Sequence, residues 1–272
     1  MITFPNAKIN IGLYVTSRRP DGYHNLETLF YPIELRDILE IVPAKSNDTT
    51  LTVTGIAVDG DVEKNLVMRA YRLLQSEYNL PAVEIHLHKV IPFGAGLGGG
   101  SADAAYALVM LRDIFKLPLS DDELAQRAAR LGADCPFFIY NRPLIATGIG
   151  DCFTSTDFSL KGRYIVLVKP SIAVSTAEAY AHVTPQTPQT PLDDGLARPI
   201  ELWKDCVSND FEKSVFPAHP RIAAIKQHLY DMGAVYASMS GSGSSVFGIF
   251  DKPCNDSVDF ADCFVWQGEC NV

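Results

Sequence analysis

Pro92-Phe93-Gly94-Ala95-Gly96-Leu97-Gly98-Gly99-Gly100-Ser101-Ala102-Asp103-Ala104-Ala105 sets five glycines within seven residues. The alternating segment Val83, Ile85, Leu87 precedes it, and a helical pattern over 101–115 follows. Glycine reaches φ > 0 and has no Cβ to hold a ligand off. Successive backbone amides leading into a helix N-terminus form an anion site. The stretch therefore predicts strand, phosphate loop and helix, in a protein that handles a nucleotide or another phosphorylated compound. A ligand-free turn is the plain alternative, but three adjacent glycines would cost it conformational entropy for no local gain.

Two common phosphate loops fit incompletely. Gly94-x-Gly96-x-x-Gly99 satisfies a dinucleotide fingerprint. The acid expected about 20 positions further on is Asp113, which falls inside the same helical stretch instead of ending a second strand. A P-loop needs lysine after its last glycine, and here Gly100-Ser101 follows Gly99. The loop lacks its own cation, so charge must come from elsewhere in the chain.

Outward from the loop, residues 7–15 alternate, with Ala7, Ile9, Ile11, Leu13 and Val15 on one side. This predicts a half-buried strand with Lys8 and Asn10 on one face. Arg18–Gly22 carries a turn signal, and further strands are predicted at 26–34, 37–43 and 50–54. Asn65–Leu74 has helical spacing, and Ser120-x-x-Glu123 is a capping box for a helix ending at Gly132. Strands are predicted at 164–168, 236–239 and 246–250, and helices at 175–180 and 222–232. Thr184–Pro199, with four prolines, is predicted to be irregular. No repeat of 20–50 residues is visible. Strands and helices mix without a steady βαβ rhythm, which favours α+β over a doubly wound sheet.

The 272 residues carry a net charge of −9 and are 47% hydrophobic, which allows one large domain or two modest ones and argues against a basic nucleic-acid surface. Six cysteines form no C-x-x-C pair, so neither a zinc site nor a thioredoxin motif is indicated, and reduced thiols are expected. No leader pattern opens the sequence and no apolar run approaches the ~18 residues of a membrane span. These readings predict a cytoplasmic protein without membrane or nucleic-acid partners.

Three segments in order resemble the motifs of the GHMP small-molecule kinases: Pro5-Asn6-Ala7-Lys8-Ile9-Asn10, the glycine loop, and Ser240-Gly241-Ser242-Gly243-Ser244-Ser245. Arg19-Pro20-Asp21-Gly22-Tyr23-His24-Asn25-Leu26-Glu27-Thr28 and Gly132-Ala133-Asp134-Cys135-Pro136-Phe137-Phe138 resemble the branch of that family that acts in non-mevalonate isoprenoid synthesis. Two departures stand out: Asn6 separates Pro5 from Ala7-Lys8, and the region after Phe250 is short. The resemblance implies an α+β, two-domain GHMP kinase fold. A ribosomal-S5-domain-2-like, ATP-binding N-terminal domain would span 1–155, and a ferredoxin-like C-terminal domain 156–272. It implies transfer of the ATP γ-phosphoryl group to the 2-hydroxyl of a CDP-linked methylerythritol, with Mg²⁺, by a monomer or weak homodimer.

The site residues follow from the same resemblance. Asp134 matches the catalytic aspartate that takes the hydroxyl proton, although Asp134 before Pro136 also reads as a helix N-cap. Lys8 matches the catalytic lysine, a cation able to pair with Asp134 and steady the phosphoryl group; a solvated strand lysine is the alternative. Pro92, Phe93, Gly94, Ala95, Gly96, Leu97, Gly98, Gly99, Gly100, Ser101 and Ala102 would wrap the ATP phosphates, with Ser101 as helix cap in the plainer view. Asn65 and Lys89 match nucleoside contacts. Tyr23, His24 and Tyr180 match the cytidine grip, with cytosine held between two rings. Asn10, Phe30, Thr176, Ser240 and Gly241 match other substrate contacts; Phe30 as plain core and Thr176 as a helix cap are the alternatives. No carboxylate cluster identifies Mg²⁺ ligands. Another GHMP-type kinase would need no cytidine grip. An NAD-dependent oxidoreductase leaves Tyr23-His24 and 240–245 without a role, and a non-catalytic nucleotide-binding protein has no use for both Lys8 and Asp134.

Overall fold

The computed structural model describes residues 1–57, 60–254, 260 and 262–272. After β1 (Ile2–Thr3), two long strands open the chain, β2 (Asn6–Arg18) and β3 (His24–Arg36). The predicted turn between them closes through Gly22 N–H to Arg19 O at 3.1 Å, and Asp21 accepts the Tyr23 amide at 3.1 Å. Next come β4 (Ile38–Pro43), β5 (Thr50–Gly55), α1 (Leu66–Tyr78) and β6 (Val83–Lys89). The glycine loop then feeds α2 (Gly99–Phe115), followed by α3 (Asp121–Ala129) and α4 (Cys135–Tyr140). The second half holds β7 (Leu144–Thr147), β8 (Cys152–Ser155), β9 (Tyr164–Pro170), α5 (Thr176–Tyr180), α6 (Leu192–Leu196) and α7 (Trp203–Cys206). It ends with α8 (Glu212–Ala218), α9 (Pro220–Asp231), β10 (Tyr236–Met239), β11 (Val246–Phe250) and β12 (Cys263–Glu269). The chain is α+β, as the mixed patterning implies.

Contacts divide the described chain into two compact units. The first comprises Met1–Ala7, Leu35–Phe93 and Gly98–Asn141. Its sheet has the order β1-β4-β6-β5. β5 runs parallel to β6, so the connection between them must cross over, and α1 provides the crossover. Alternation in β6 turns Val83, Ile85 and Leu87 inward, where they join Leu39 and Ile41 against Val67, Tyr71 and Leu74 of α1 and Ala104, Leu108 and Leu111 of α2. Burying such side chains contributes about 1.5–3 kcal/mol each. The result is a firm platform beneath the start of α2. The predicted capping box is present: Ser120 Oγ accepts the Glu123 amide at 3.3 Å, and Glu123 accepts the Ser120 amide at 2.8 Å.

The second unit comprises Lys8–Glu34, Gly94–Leu97 and Arg142–Val272. Sheet β10-β11-β9-β12 is antiparallel throughout and packs Val166, Val168, Ala237, Met239 and Val246 with Val215 of α8 and Ile222, Ile225 and Leu229 of α9. The other sheet has the order β2-β3-β7-β8.

Several sequence expectations need correction. β2 is not half-buried: every residue from Asn6 to Val15 is buried, polar ones included. The proline-rich 184–199 segment contains a helical turn, α6, entered from Pro191 at φ −51°, which proline pre-sets for a helix start. α3 stops at Ala129, and Leu131 and Gly132 close the end by donating to the Ala128 carbonyl at 2.9 and 3.2 Å. β7, β8, α8 and β12 had no reading in the sequence. The first two are four residues long, too short to show a period.

Candidate active site

In the second unit, alternation along β2 puts Lys8 and Asn10 on one face, and that face is buried; Lys8 is 3% exposed. The solvated-lysine alternative is therefore wrong. A buried ammonium needs partners to replace its hydration. Lys8 Nζ donates to Asn10 Oδ1 at 2.6 Å and to the Gly96 carbonyl of the glycine loop at 3.2 Å. It also stands 4.7 Å from the centroid of the Phe30 ring, a cation–π distance. The Lys8 amide donates to Leu97 O at 3.0 Å, so backbone as well as side chain binds strand to loop. Asn10 Nδ2 donates to Thr28 Oγ1 at 3.0 Å, which orients the amide so that its oxygen faces the ammonium.

The second glycine-rich turn joins the same cluster. Ser240 Oγ donates to Gly96 O at 2.9 Å and accepts the Asn10 amide at 3.2 Å. Asn209 Nδ2 donates to the carbonyls of Met239 and Gly241, both at 2.8 Å. Lys8, Asn10, Phe30, Gly96, Ser240 and Gly241 thus come together. Thr28 and Asn209 complete the polar network. The motif containing Thr28 was recognisable in sequence, while nothing around Asn209 marks it.

His24 and Tyr180 stack with ring centroids 4.8 Å apart at 21°, and Tyr180 meets Phe211 edge-on at 4.7 Å. Tyr180 is thus packed against His24 and Phe211. Tyr23 is 62% exposed, with an open face. Thr176 is the first residue of α5, but the cap is Ser175, whose hydroxyl accepts the Glu178 amide at 3.1 Å.

In the first unit, α2 begins at Gly99 with Gly98 as N-cap in αL geometry and no side-chain cap. Ser101 sits inside the first turn and is not the cap, which corrects that alternative. The first amides of α2 have no side-chain cap, and such amides can bind an anion. Ala95, Leu97 and Ala102 are buried, so contact with phosphate at these positions would run through backbone. Asp113 is on α2 and pairs with Arg112 at 2.8 Å, which removes it as a ribose-binding acid.

Asn65 caps α1, accepting the Val67 amide at 2.9 Å. It borders a cavity of about 520 Å³ whose wall includes Leu51, Val53, Leu87, Lys89 and Phe93. An aliphatic wall with a few polar groups suits a planar base. The aliphatic residues Leu51 and Val53 were not anticipated as site residues. The Lys89 ammonium is bound by two carboxylates, Asp37 and Asp103.

Asp134 occupies the N-cap position of α4 in αR geometry, φ −79° and ψ −17°, and makes no capping hydrogen bond. The plain capping role is not what its side chain performs. Next to it, burial pushes the Cys135 thiol up to about 11; Ser101 hydrogen bonding opposes the shift and the Asp134 charge adds to it.

The chain matches the family model of the GHMP kinases N terminal domain over residues 65–142 and that of the GHMP kinases C terminal over 195–255. It is 57% identical over 271 residues to the 4-diphosphocytidyl-2-C-methyl-D-erythritol kinase of Parabacteroides distasonis, covering 99% of both chains. It is 53% identical over 272 residues to the kinase of that name from Bacteroides fragilis, again covering 99% of each. A crystal structure of 4-(cytidine 5'-diphospho)-2C-methyl-D-erythritol kinase superposes with a TM-score of 0.77 at 33% identity, covering 92% of this chain and 90% of that one. Full-length identity at this level, with both family domains present, means that the chain belongs to the 4-diphosphocytidyl-2-C-methyl-D-erythritol kinase family of GHMP kinases.

Proposed function

We propose that the chain transfers the γ-phosphoryl group of ATP to the 2-hydroxyl of 4-diphosphocytidyl-2-C-methyl-D-erythritol. The observation that carries the reading is the Lys8 contact with the glycine loop. A loop without a cation of its own receives one from a buried strand, through Lys8 Nζ to Gly96 O at 3.2 Å. Phosphoryl transfer is chiefly positioning and charge stabilisation, and a desolvated, oriented ammonium supplies the second.

Asp134 accepts the proton of the acceptor hydroxyl. The oxygen–phosphorus bond forms as the bond from the γ-phosphorus to the bridging oxygen breaks, and ADP leaves. Lys8 stabilises charge on the transferring group. The amides of 94–102 cradle the ATP phosphates, with Pro92 and Phe93 at the entrance, and Asn65 and Lys89 border the nucleoside cavity. Tyr23, His24 and Tyr180 grip the cytidine, while Asn10, Phe30, Thr176, Ser240 and Gly241 hold the rest of the acceptor. Among the described residues no group of three or more His, Cys, Asp or Glu side chains is arranged for a metal. Mg²⁺ is usually held by substrate phosphates with one or two carboxylates, and it would neutralise the β- and γ-oxygens here.

The division into domains 1–155 and 156–272 belongs to the same reading, and the two family matches fall on either side of it. Among the described residues no helix is long and apolar enough to cross a membrane. The same reading takes the chain as cytoplasmic, with small-molecule partners, and monomeric or weakly dimeric.

Comparing the CDP-linked with the unlinked methylerythritol as acceptor, with ATP and Mg²⁺ and ADP release as readout, tests the proposal. Turnover of the linked acceptor alone is expected. Equal turnover of both, or ADP release without a phosphorylated product, would overturn it.

A further inference from the structure

Inside the first unit Lys89, which borders the nucleoside cavity, meets two carboxylates unused by the proposed chemistry. Asp37 is 0% exposed, Lys89 5% and Asp103 2%. Lys89 Nζ donates to Asp103 Oδ2 at 2.6 Å and to Asp37 Oδ2. Asp37 Oδ1 accepts the amides of Val90 at 2.6 Å and Ile91 at 2.8 Å. Asp103 Oδ1 is buried without a hydrogen-bond partner among the described residues.

These contacts sit at both ends of the glycine loop. Lys89 ends β6, Val90 and Ile91 lead out of it, and Asp103 lies early in α2. Backbone is packed tightly at the same join: a Cβ on Gly99 would stand 2.8 Å from Ile91 Cγ2 and 3.4 Å from Lys89 Nζ. A cation beneath a helix N-terminus opposes the helix dipole, and the two carboxylates offset that cost. A buried ion triad is often no more stabilising than well-packed apolar side chains. An orphaned carboxylate oxygen adds a further penalty. Burial pushes Asp103 up against the pull of Lys89, with Asp37 adding to the rise. Burial alone would lower Lys89, but the two carboxylates outweigh it and hold it protonated. Stability alone is a poor reason for this arrangement.

We infer that Asp37, Lys89 and Asp103 are positioning residues for phosphoryl transfer, a buried clamp that holds the two ends of the glycine loop so that the α2 amides meet the nucleotide phosphates. The inference rests on the ATP-dependent reading above. It also redefines Lys89, whose ammonium is committed to carboxylates and acts on the nucleotide through the backbone it fixes.

The test uses the full chain with steady-state kinetics in both substrates and calorimetric binding of a non-hydrolysable ATP analogue. Asp103→Ala is expected to raise KM for ATP and the analogue Kd about tenfold, with KM for the acceptor within about twofold. Asp103→Asn keeps an acceptor for Lys89 Nζ and should restore nucleotide affinity to within about threefold of the parent. Unchanged nucleotide affinity in Asp103→Ala, or equal loss for both substrates without rescue by Asn, overturns the inference. Should Asp103→Ala fail to fold, Asp37→Asn carries the test, since it retains an acceptor for Val90 and Ile91 while removing the charge from Lys89. A rise in its ATP KM supports the clamp, and an unchanged value overturns it. A parent chain that binds the analogue but phosphorylates no acceptor would overturn the kinase reading and leave the analogue-binding comparison to judge the clamp.

Discussion

Gly96 and Ser240 are 144 positions apart in sequence, yet Ser240 Oγ donates to the Gly96 carbonyl at 2.9 Å. A Cβ built on Gly96 would stand 2.1 Å from the Ser240 carbonyl oxygen, a distance no side chain tolerates. Two glycine-rich motifs that look independent in sequence are one packed structure. Gly96 also holds φ +73°, which costs a residue with a side chain about 1–2 kcal/mol. Gly94 holds a similar φ of +61°, but nothing lies within 4 Å of its added Cβ. Gly96→Ala should therefore cut kcat/KM by about 100-fold or more, as displacements near 1 Å do. Gly94→Ala should cost only its conformational strain. Equal effects in a kinetic comparison of the two variants would contradict the packing argument.

Asp134→Asn preserves shape and removes the basic oxygen. With the capping role excluded by geometry, kcat is expected to fall about 10²–10⁴-fold, the usual contribution of a general base. Nucleotide affinity, measured by calorimetry, should be nearly unchanged. Near-normal kcat would remove Asp134 from the chemistry.

Tyr23 and Tyr180 should separate by stability. Tyr23 is 62% exposed, whereas Tyr180 is stacked on His24 and set edge-on to Phe211. Tyr23→Ala should raise KM for the CDP-linked acceptor about tenfold, the scale of one lost base–aromatic stack, with Tm and the ATP KM unchanged. Tyr180→Ala should raise the same KM and also lower Tm. A Tyr23→Ala chain with equal rises in both KM values would count against stacking.

Burial pushes the thiols of Cys135 and Cys270 up to about 11. At pH 8 each is thiolate about one part in a thousand, and the thiolate is the nucleophile. Mass spectrometry after brief iodoacetamide treatment should find both unlabelled in the native chain and labelled in urea. The raised values also carry a stability sign. Between the ordinary thiol pKa and the native value, the folded state binds more protons than the unfolded one, so stability falls as pH rises through that window. Cys135→Ala should flatten part of the decline between pH 9 and 11 in urea midpoints. Native labelling of Cys135 at pH 8 would contradict its burial.

Much of this architecture is legible in one dimension because it depends on local chemistry. The glycine loop can be read directly, since positive φ at Gly94, Gly96 and Gly98 selects for glycine wherever the rest of the chain lies. The Ser120–Glu123 capping box is a bond over three positions, and the β6 alternation is a period of two; both are local. The family resemblance could be read for the same reason, because its motifs are contiguous segments.

What sequence could not supply depends on where distant segments pack. Alternation in β2 predicts which residues share a face, but not that the polar face is also buried, and that burial makes Lys8 a desolvated cation instead of a solvated one. Lys89 carries no mark of its partners, since Asp37 and Asp103 lie 52 and 14 positions away and meet it only after the sheet forms and α2 docks. Local geometry determines the motifs, because backbone sterics and short-range hydrogen bonds act within a few residues. Burial, partner choice and charge state belong to the tertiary structure, because desolvation and Coulomb energies depend on neighbours that only the folded chain brings together.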